Sequence, residues 1–174
     1  AKGASPRIID ATAGLGRDAA WLAIRGATVL SIERDPVIHA LLADAVERAR
    51  AAGDPIGTAL DERFTLERGD GVEALREIGR SGASPPDVVF LDPMFPERGS
   101  ALAKKEAQLL AALLGGGADE TADAALFHAA CESGAPRVVV KRPRHAPTIV
   151  PDPMPAHRFE GRSVRFDLYL PPTP

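Results

Sequence analysis

Short runs of branched apolar residues alternate along the chain with longer stretches whose apolar positions recur at helical spacing. The runs at 7–10 (RIID), 28–32 (TVLSI), 87–91 (DVVFL) and 137–141 (RVVVK) are continuous rather than alternating, and 64–67 (FTLE) is a weaker fifth. Continuous Val/Ile-rich runs suit central strands of a parallel sheet covered on both faces. Helices are predicted over 18–25, 36–52, 72–78, 101–114 and 119–132. Pro36 stands at the first turn of the second of these, with Gly53 just past its end, and Gly115-Gly116-Gly117 and Gly134 close the last two. Repeated β-α units with right-handed crossovers make an open α/β sheet. The tail changes character. Residues 145–155 are proline-rich and read as an ordered loop, and 157–160 and 163–170 flank Gly161-Arg162 as a hairpin. A hairpin finishing a mostly parallel sheet departs from a plain dinucleotide fold and predicts the class I methyltransferase (Rossmann-like) sheet of seven strands.

The chemistry gathers at the ends of the strands. Asp10-Ala-Thr-Ala-Gly-Leu-Gly16 follows the first strand and opens a helix. Glycines here let the backbone turn and approach a ligand, and the helix start offers free N–H groups. In dinucleotide enzymes such groups face a pyrophosphate. With S-adenosylmethionine they would face its amino-acid carboxylate, assisted by Arg17, while Asp10 holds the loop or meets the methionine amino group. Glu33, before Arg34, ends the second strand, where an acid accepts hydrogen bonds from ribose hydroxyls. Asp70-Gly71 follows the third strand, where Asp70 either accepts from an adenine amine or caps the next helix. A structural turn or cap explains each motif singly. Their succession along one sheet edge points to a cofactor site built from Asp10, Ala13, Gly14, Gly16, Arg17, Asp18, Glu33, Arg34, Asp70, Gly71 and Asp92.

The fourth strand ends in Asp92-Pro-Met-Phe-Pro96. It is similar to the Asp/Asn-Pro-Pro-Tyr/Phe loop of methyltransferases that act on exocyclic amines of bases, with Met94 in place of the second proline. Such an amine is a poor nucleophile, because its lone pair is delocalised into the ring. Acceptors around its protons, Asp92 Oδ and the Pro93 carbonyl, favour a pyramidal nitrogen. Phe95 would stack on the base, a contact worth ~1–3 kcal/mol in nucleic-acid binders. Asp92, Pro93 and Phe95 are therefore the candidate catalytic residues.

Composition sharpens this only in part. The net charge of −3 does not mark a nucleic-acid binder. The distribution is uneven: residues 1–133 carry 14 Lys/Arg against 21 Asp/Glu, and residues 134–174 carry 7 against 3. Phosphate contacts are expected from the C-terminal part, at Lys141, Arg142 and Arg144, with Lys141 nearest the site, and from Lys104 and Lys105 after the acceptor loop. The one cysteine, Cys131, excludes an internal disulfide and reads as a small buried hydrophobe. Four scattered histidines give no metal-ligand spacing, so no metal is expected. Trp21 is expected in the core, and Phe159, Phe166 and Tyr169 are expected to pack the hairpin.

The combination of ATAGLGRDA, Glu33-Arg34, LDPMFP, SALAKKE and VVVKRP resembles the family of small-subunit ribosomal RNA guanine-N2 methyltransferases designated J. The resemblance runs from about Ile8 to the terminal hairpin. It implies S-adenosyl-L-methionine as cofactor, S-adenosyl-L-homocysteine as product, and one methyl group passed to a guanine amine of 16S ribosomal RNA. The partner it implies is that RNA or the 30S particle, in a bacterial cytoplasm. No apolar run is long enough to span a membrane, so no membrane association is expected, and the oligomeric state is left open with a monomer preferred. Family members carry an additional N-terminal region. The expectation is thus a single methyltransferase domain over 1–174 that lacks it. Competing readings are a DNA amine methyltransferase, a nicotinamide-dependent oxidoreductase, and a non-enzymatic RNA-binding or assembly module.

Overall fold

The computed structural model describes residues 4–93 and 119–172. In chain order the elements are β1 (Arg7–Asp10), α1 (Arg17–Ile24), β2 (Thr28–Glu33), α2 (Pro36–Ala51), α3 (Pro55–Arg63), β3 (Phe64–Arg68) and α4 (Gly71–Arg80). There follow β4 (Val88–Leu91), α5 (Glu120–Glu132), β5 (Val138–Pro143), β6 (His157–Glu160) and β7 (Val164–Tyr169). Seven strands form one sheet in the order β3-β2-β1-β4-β5-β7-β6. β1 to β5 are parallel, and β7 and β6 close the edge as an antiparallel hairpin. The strand order reverses between β1 and β4, so the crevice where open α/β sheets bind ligands lies between the loops that follow those two strands.

Two apolar clusters cover the sheet. Ile9, Val89, Leu91, Val138, Val140 and Tyr169 face one side and pack with Leu75 and Phe127. Ile8, Val29, Phe64 and Phe90 face the other and pack with Ala19, Ala23, Leu42 and Leu60. Neighbours along each strand belong to opposite clusters, as period-2 alternation requires. The continuous apolar runs are therefore the mark of a sheet buried on both faces.

Asp35, Asp54, Asp70 and Asp119 each cap a helix with the side chain, and Pro36 and Pro55 occupy first-turn positions. α3 was not expected from the sequence. Its Gly57 sits where an added Cβ would collide with the Ala49 carbonyl, so the glycine that lowers helix propensity is what lets α2 and α3 cross closely. The helix expected over 101–114 lies outside the described residues. Two aromatic expectations are corrected. Trp21 is 58% exposed, with the Arg25 guanidinium carbon 5.6 Å from its ring centre, and Phe159 is 60% exposed. Phe166 and Tyr169 do pack inward, and Cys131 lies half-buried against the core.

Candidate active site

The loop after β1 is built around two left-handed glycines, Gly14 at φ +52° and Gly16 at φ +70°. Gly16 is the N-cap of α1, and a Cβ there would come 2.5 Å from the Leu42 side chain. The loop therefore needs glycine for both conformation and space. Ala13 is buried beneath it, and its N–H donates to the Ile32 carbonyl at 3.0 Å. Glu33 braces the turn from β2. Its Oε2 accepts from the Gly14 N–H and its Oε1 from the Asp35 N–H, both at 2.8 Å. Each carboxylate oxygen keeps a second lone pair for a ribose hydroxyl. Arg17 and Arg34 are exposed beside it.

Asp70 caps α4 through Oδ1, which accepts from Val72 and Glu73 N–H at 2.8 and 3.2 Å. The capping alternative raised by the sequence is thus realised, and Oδ2 takes no part in it. Gly71 has a packing role: a Cβ there would lie 2.6 Å from the Ala11 carbonyl oxygen, so the start of α4 can close on the first loop only with glycine.

Four side chains converge between β1, β4 and β5. Asp10 is 2% exposed, and its Oδ1 accepts from both the N–H and the hydroxyl of Thr12, at 3.0 and 3.2 Å. Thr12 Oγ1 in turn accepts from the Asp92 N–H at 2.7 Å, which stitches the acceptor loop to the cofactor loop. Lys141 Nζ donates to Asp18 Oδ2 at 2.5 Å and to Asp92 Oδ2 at 2.8 Å. Burial pushes the Asp10 carboxyl up to about 7 against its Thr12 bonds, with Asp92 and Asp18 adding to the rise. Burial also raises Asp92, opposed by Lys141 and reinforced by Asp18. Lys141 loses some basicity to burial, but its two carboxylates more than restore it and hold it above the ordinary lysine value.

Two carboxyl groups on one ammonium, with the Asp10 carboxyl beside them, make an acid-rich site. Such a donor set suits a ligand with a sulfonium and an ammonium, and it disfavours the pyrophosphate of a dinucleotide, which wants uncompensated N–H groups and cations. The residues present therefore fit S-adenosylmethionine. Sequence reasoning gave Thr12 no role. It also missed the joining of Lys141 to Asp18. Strand alternation carried the second signal, since it puts Lys141 on the α1 side of the sheet together with Val139.

Residues 1–171 match the family model described as "Putative SAM-dependent methyltransferase". The chain belongs to this family. Among relatives of this methyltransferase chain, ribosomal RNA small subunit methyltransferase J of Dechloromonas aromatica is 45% identical over 168 residues, covering 96% of this chain and 65% of that one. The protein of the same name from Pseudomonas aeruginosa is 46% identical over 168 residues, covering 96% and 61%. The chain thus spans less than two thirds of the length of these curated relatives. The crystal structure of the SAM-dependent methyltransferase NGO1261 from Neisseria gonorrhoeae superposes with a TM-score of 0.74 at 35% identity, over 97% of this chain and 66% of that one. An RNA methyltransferase from Salinibacter ruber in complex with S-adenosyl-L-homocysteine shares the fold, with a TM-score of 0.57 at 18% identity over 96% and 81%.

The expected basic surface is revised. Arg142 is 4% exposed, its Nε donates to the Pro147 carbonyl at 3.3 Å, and its Nη1 lies 3.6 Å from Asp123. It is turned into the protein, away from any phosphate. Burial lowers its pKa, with Asp123 opposing. Lys141 is likewise committed to Asp18 and Asp92. Arg144 stays exposed, 3.2 Å from Glu160. Phe95, Lys104 and Lys105 lie outside the described residues, and Pro93 is half-buried beside Asp92. Among the described residues no group of His, Cys, Asp and Glu could hold a metal, and no helix is long and apolar enough to cross a membrane.

Proposed function

We propose that this chain carries the catalytic domain of an enzyme that transfers a methyl group to the exocyclic N2 amine of a guanine in small-subunit (16S) ribosomal RNA. The observation that carries the reading is Asp92. It stands at the strand-order reversal, tied to the cofactor loop by Thr12 and to Lys141, in a loop of the amine-methyltransferase type. The names of the curated relatives supply the substrate class.

S-adenosylmethionine, when bound, supplies an electrophilic methyl group and leaves as the neutral thioether. Gly14, Gly16, Arg17 and Asp18 would hold its amino-acid end, Glu33 and Arg34 its ribose, and Asp70 and Gly71 its adenine. Asp92 Oδ and the Pro93 carbonyl would accept hydrogen bonds from the two amine N–H groups and turn the nitrogen lone pair out of the ring. The nitrogen forms its new bond to the methyl carbon and becomes strongly acidic, so its surplus proton passes to Asp92 or to water without a strong base. Alignment and electrostatics are the main contributions asked of the protein. Phe95 would stack on the guanine, and Lys104, Lys105 and Arg144 would hold phosphates, which position the RNA without reading its sequence. The same reading places the enzyme in a bacterial cytoplasm as a monomer.

The test is transfer from labelled S-adenosylmethionine to 30S subunits from a strain lacking the modification, followed by nucleoside analysis. Labelled N2-methylguanosine is expected. Asp92→Ala is expected to lower the rate by about 10²-fold or more, in the range of losing one preorganised transition-state contact, while RNA binding is largely kept. Label on DNA, or on no nucleic acid while the cofactor still binds, would overturn the substrate assignment.

A further inference from the structure

We infer that Lys141 is a positioning residue for Asp92, its ammonium clamping one oxygen of that carboxylate to Asp18 across the gap between α1, β4 and β5. The inference rests on the proposed role of Asp92 and adds a residue outside the acceptor loop on which that role depends.

The geometry separates Lys141 from an ordinary surface ion pair. Its side chain is only 22% exposed, it leaves β5 on the face shared with Asp10 and Asp18, and it makes two short bonds from a single ammonium. The Lys141 bond to the Asp92 carboxylate uses Oδ2. The Asp92 main chain is pinned independently, by its N–H donating to Thr12 Oγ1. Side chain and backbone are thus fixed from two strands, which sets the direction in which the carboxyl group meets a substrate amine.

The electrostatics give the clamp a second consequence. The groups facing Asp92 are Lys141 from β5, Asp18 from α1, and Asp10 below them at the end of β1. Burial and Asp18 favour the protonated form, and among the described residues Lys141 is the cation that opposes them. Without it Asp92 would keep its proton to higher pH and would accept from the amine only as a neutral carboxyl oxygen, a weaker acceptor than the carboxylate. Because Asp18 shares the same ammonium, the side chain at the cofactor loop and the side chain at the acceptor loop move as one unit.

The experiment follows the Asp92 carboxyl carbon by NMR against pH in the free protein, for the native sequence, Lys141→Met, Lys141→Arg and Asp18→Asn. Lys141→Met should raise the Asp92 midpoint by about 1–3 units, and Asp18→Asn should lower it. Opposite signs from two neighbouring changes cannot come from general loosening. Lys141→Arg keeps the charge and should leave the midpoint within about half a unit of native. Methyl transfer to the 30S substrate then serves as a second readout. In Lys141→Met the acidic limb of kcat should move up by the same amount as the NMR midpoint, about tenfold in rate per unit below it. An unmoved Asp92 midpoint in a folded Lys141→Met protein overturns the inference, as does a raised midpoint in Asp18→Asn should the Met variant not fold. Absence of transfer by the native chain would count against the proposed reaction and leave the NMR result to decide the role of Lys141.

Discussion

Lys141 and Arg142 are consecutive in β5, and they lead into two buried charge clusters of different construction. On the α1 side of the sheet Lys141 binds Asp18 and Asp92, with Asp10 beside those two acids, three acids to one cation among the described residues, and Asp10 and Asp92 hold raised pKa values. On the α5 side Arg142 and Arg165 meet Asp123 and Asp167, a balanced set. Arg165 is saturated there. Its Nε and Nη2 grip Asp167 at 2.9 and 3.0 Å, and its Nη1 donates to the carbonyls of Pro143, Arg144 and Ala146 at 3.2, 2.8 and 2.6 Å. Nη2 also reaches the Pro147 carbonyl at 3.3 Å. Such a fork satisfies every acceptor it touches and holds the proline-rich loop against the hairpin. A cluster in which each acid is paired with an arginine is scaffold, whereas an under-neutralised one stores charge for a ligand.

The largest effect expected in solution is at the scaffold cluster. Arg165→Met should destabilise the fold by ~3–5 kcal/mol, because it removes the bidentate partner of a fully buried carboxylate. Arg158, 3.5 Å from Asp167 and partly exposed, offers only partial replacement. Urea titration measures this. Methyl transfer per folded molecule should stay within a few-fold of native. A variant that melts like native but fails to transfer methyl would erase the distinction between the two clusters.

The active-site cluster should show its imbalance as a pH dependence. Asp10 titrates near 3.8 in the unfolded chain and about 7 when folded. Between those values the native state binds the extra proton, so Asp10 contributes a stability that is present at low pH and lost as pH rises toward 7. The slope is at most ~1.4 kcal/mol per pH unit. Asp10→Asn keeps Oδ1 as the acceptor for Thr12 and has no proton to lose. Its stability relative to native should therefore improve steadily from pH 4 to pH 7.5 in parallel urea titrations. A constant difference across that range would mean that native Asp10 is already ionised at pH 4.

The sheet was readable because strands buried on both faces leave continuous apolar runs, and all five parallel strands were placed within two residues at either end. α3 was not readable, since Gly57 and Thr58 depress helix propensity and the gain that offsets them is a close crossing with α2. The Asp54-Pro55 pair was the available signal, an N-cap followed by a first-turn proline. At the site, the strand-end acids were visible because their type and spacing are local. Position at the sheet edge put Lys141 nearest the site, but its acid partners were not visible. Lys141 and Arg142 are adjacent and alike in charge, and only the alternation of β5 sends one to Asp92 and the other to Asp123. Charge counting, which placed both on an RNA surface, is blind to that alternation.

Trp21 supplies the smallest expected effect and the finest control. It stands one turn after Asp18 on α1, whose Ala19 and Ala23 are fully buried while the indole lies open. Helical spacing placed it in the core because a lone tryptophan among alanines looks like an anchor. The sheet is approached instead by the small residues, which leave no depth for an indole. Its contact with Arg25 at 5.6 Å is an exposed cation–π pair, worth about 0.5–1 kcal/mol. Trp21→Ala should therefore cost no more than that in a urea titration and should leave methyl transfer unchanged. If transfer instead falls about tenfold, ~1.4 kcal/mol in the transition state, while cofactor protection holds, the indole touches the nucleic acid. The acid-rich cluster would then be only one part of a substrate surface that continues along α1.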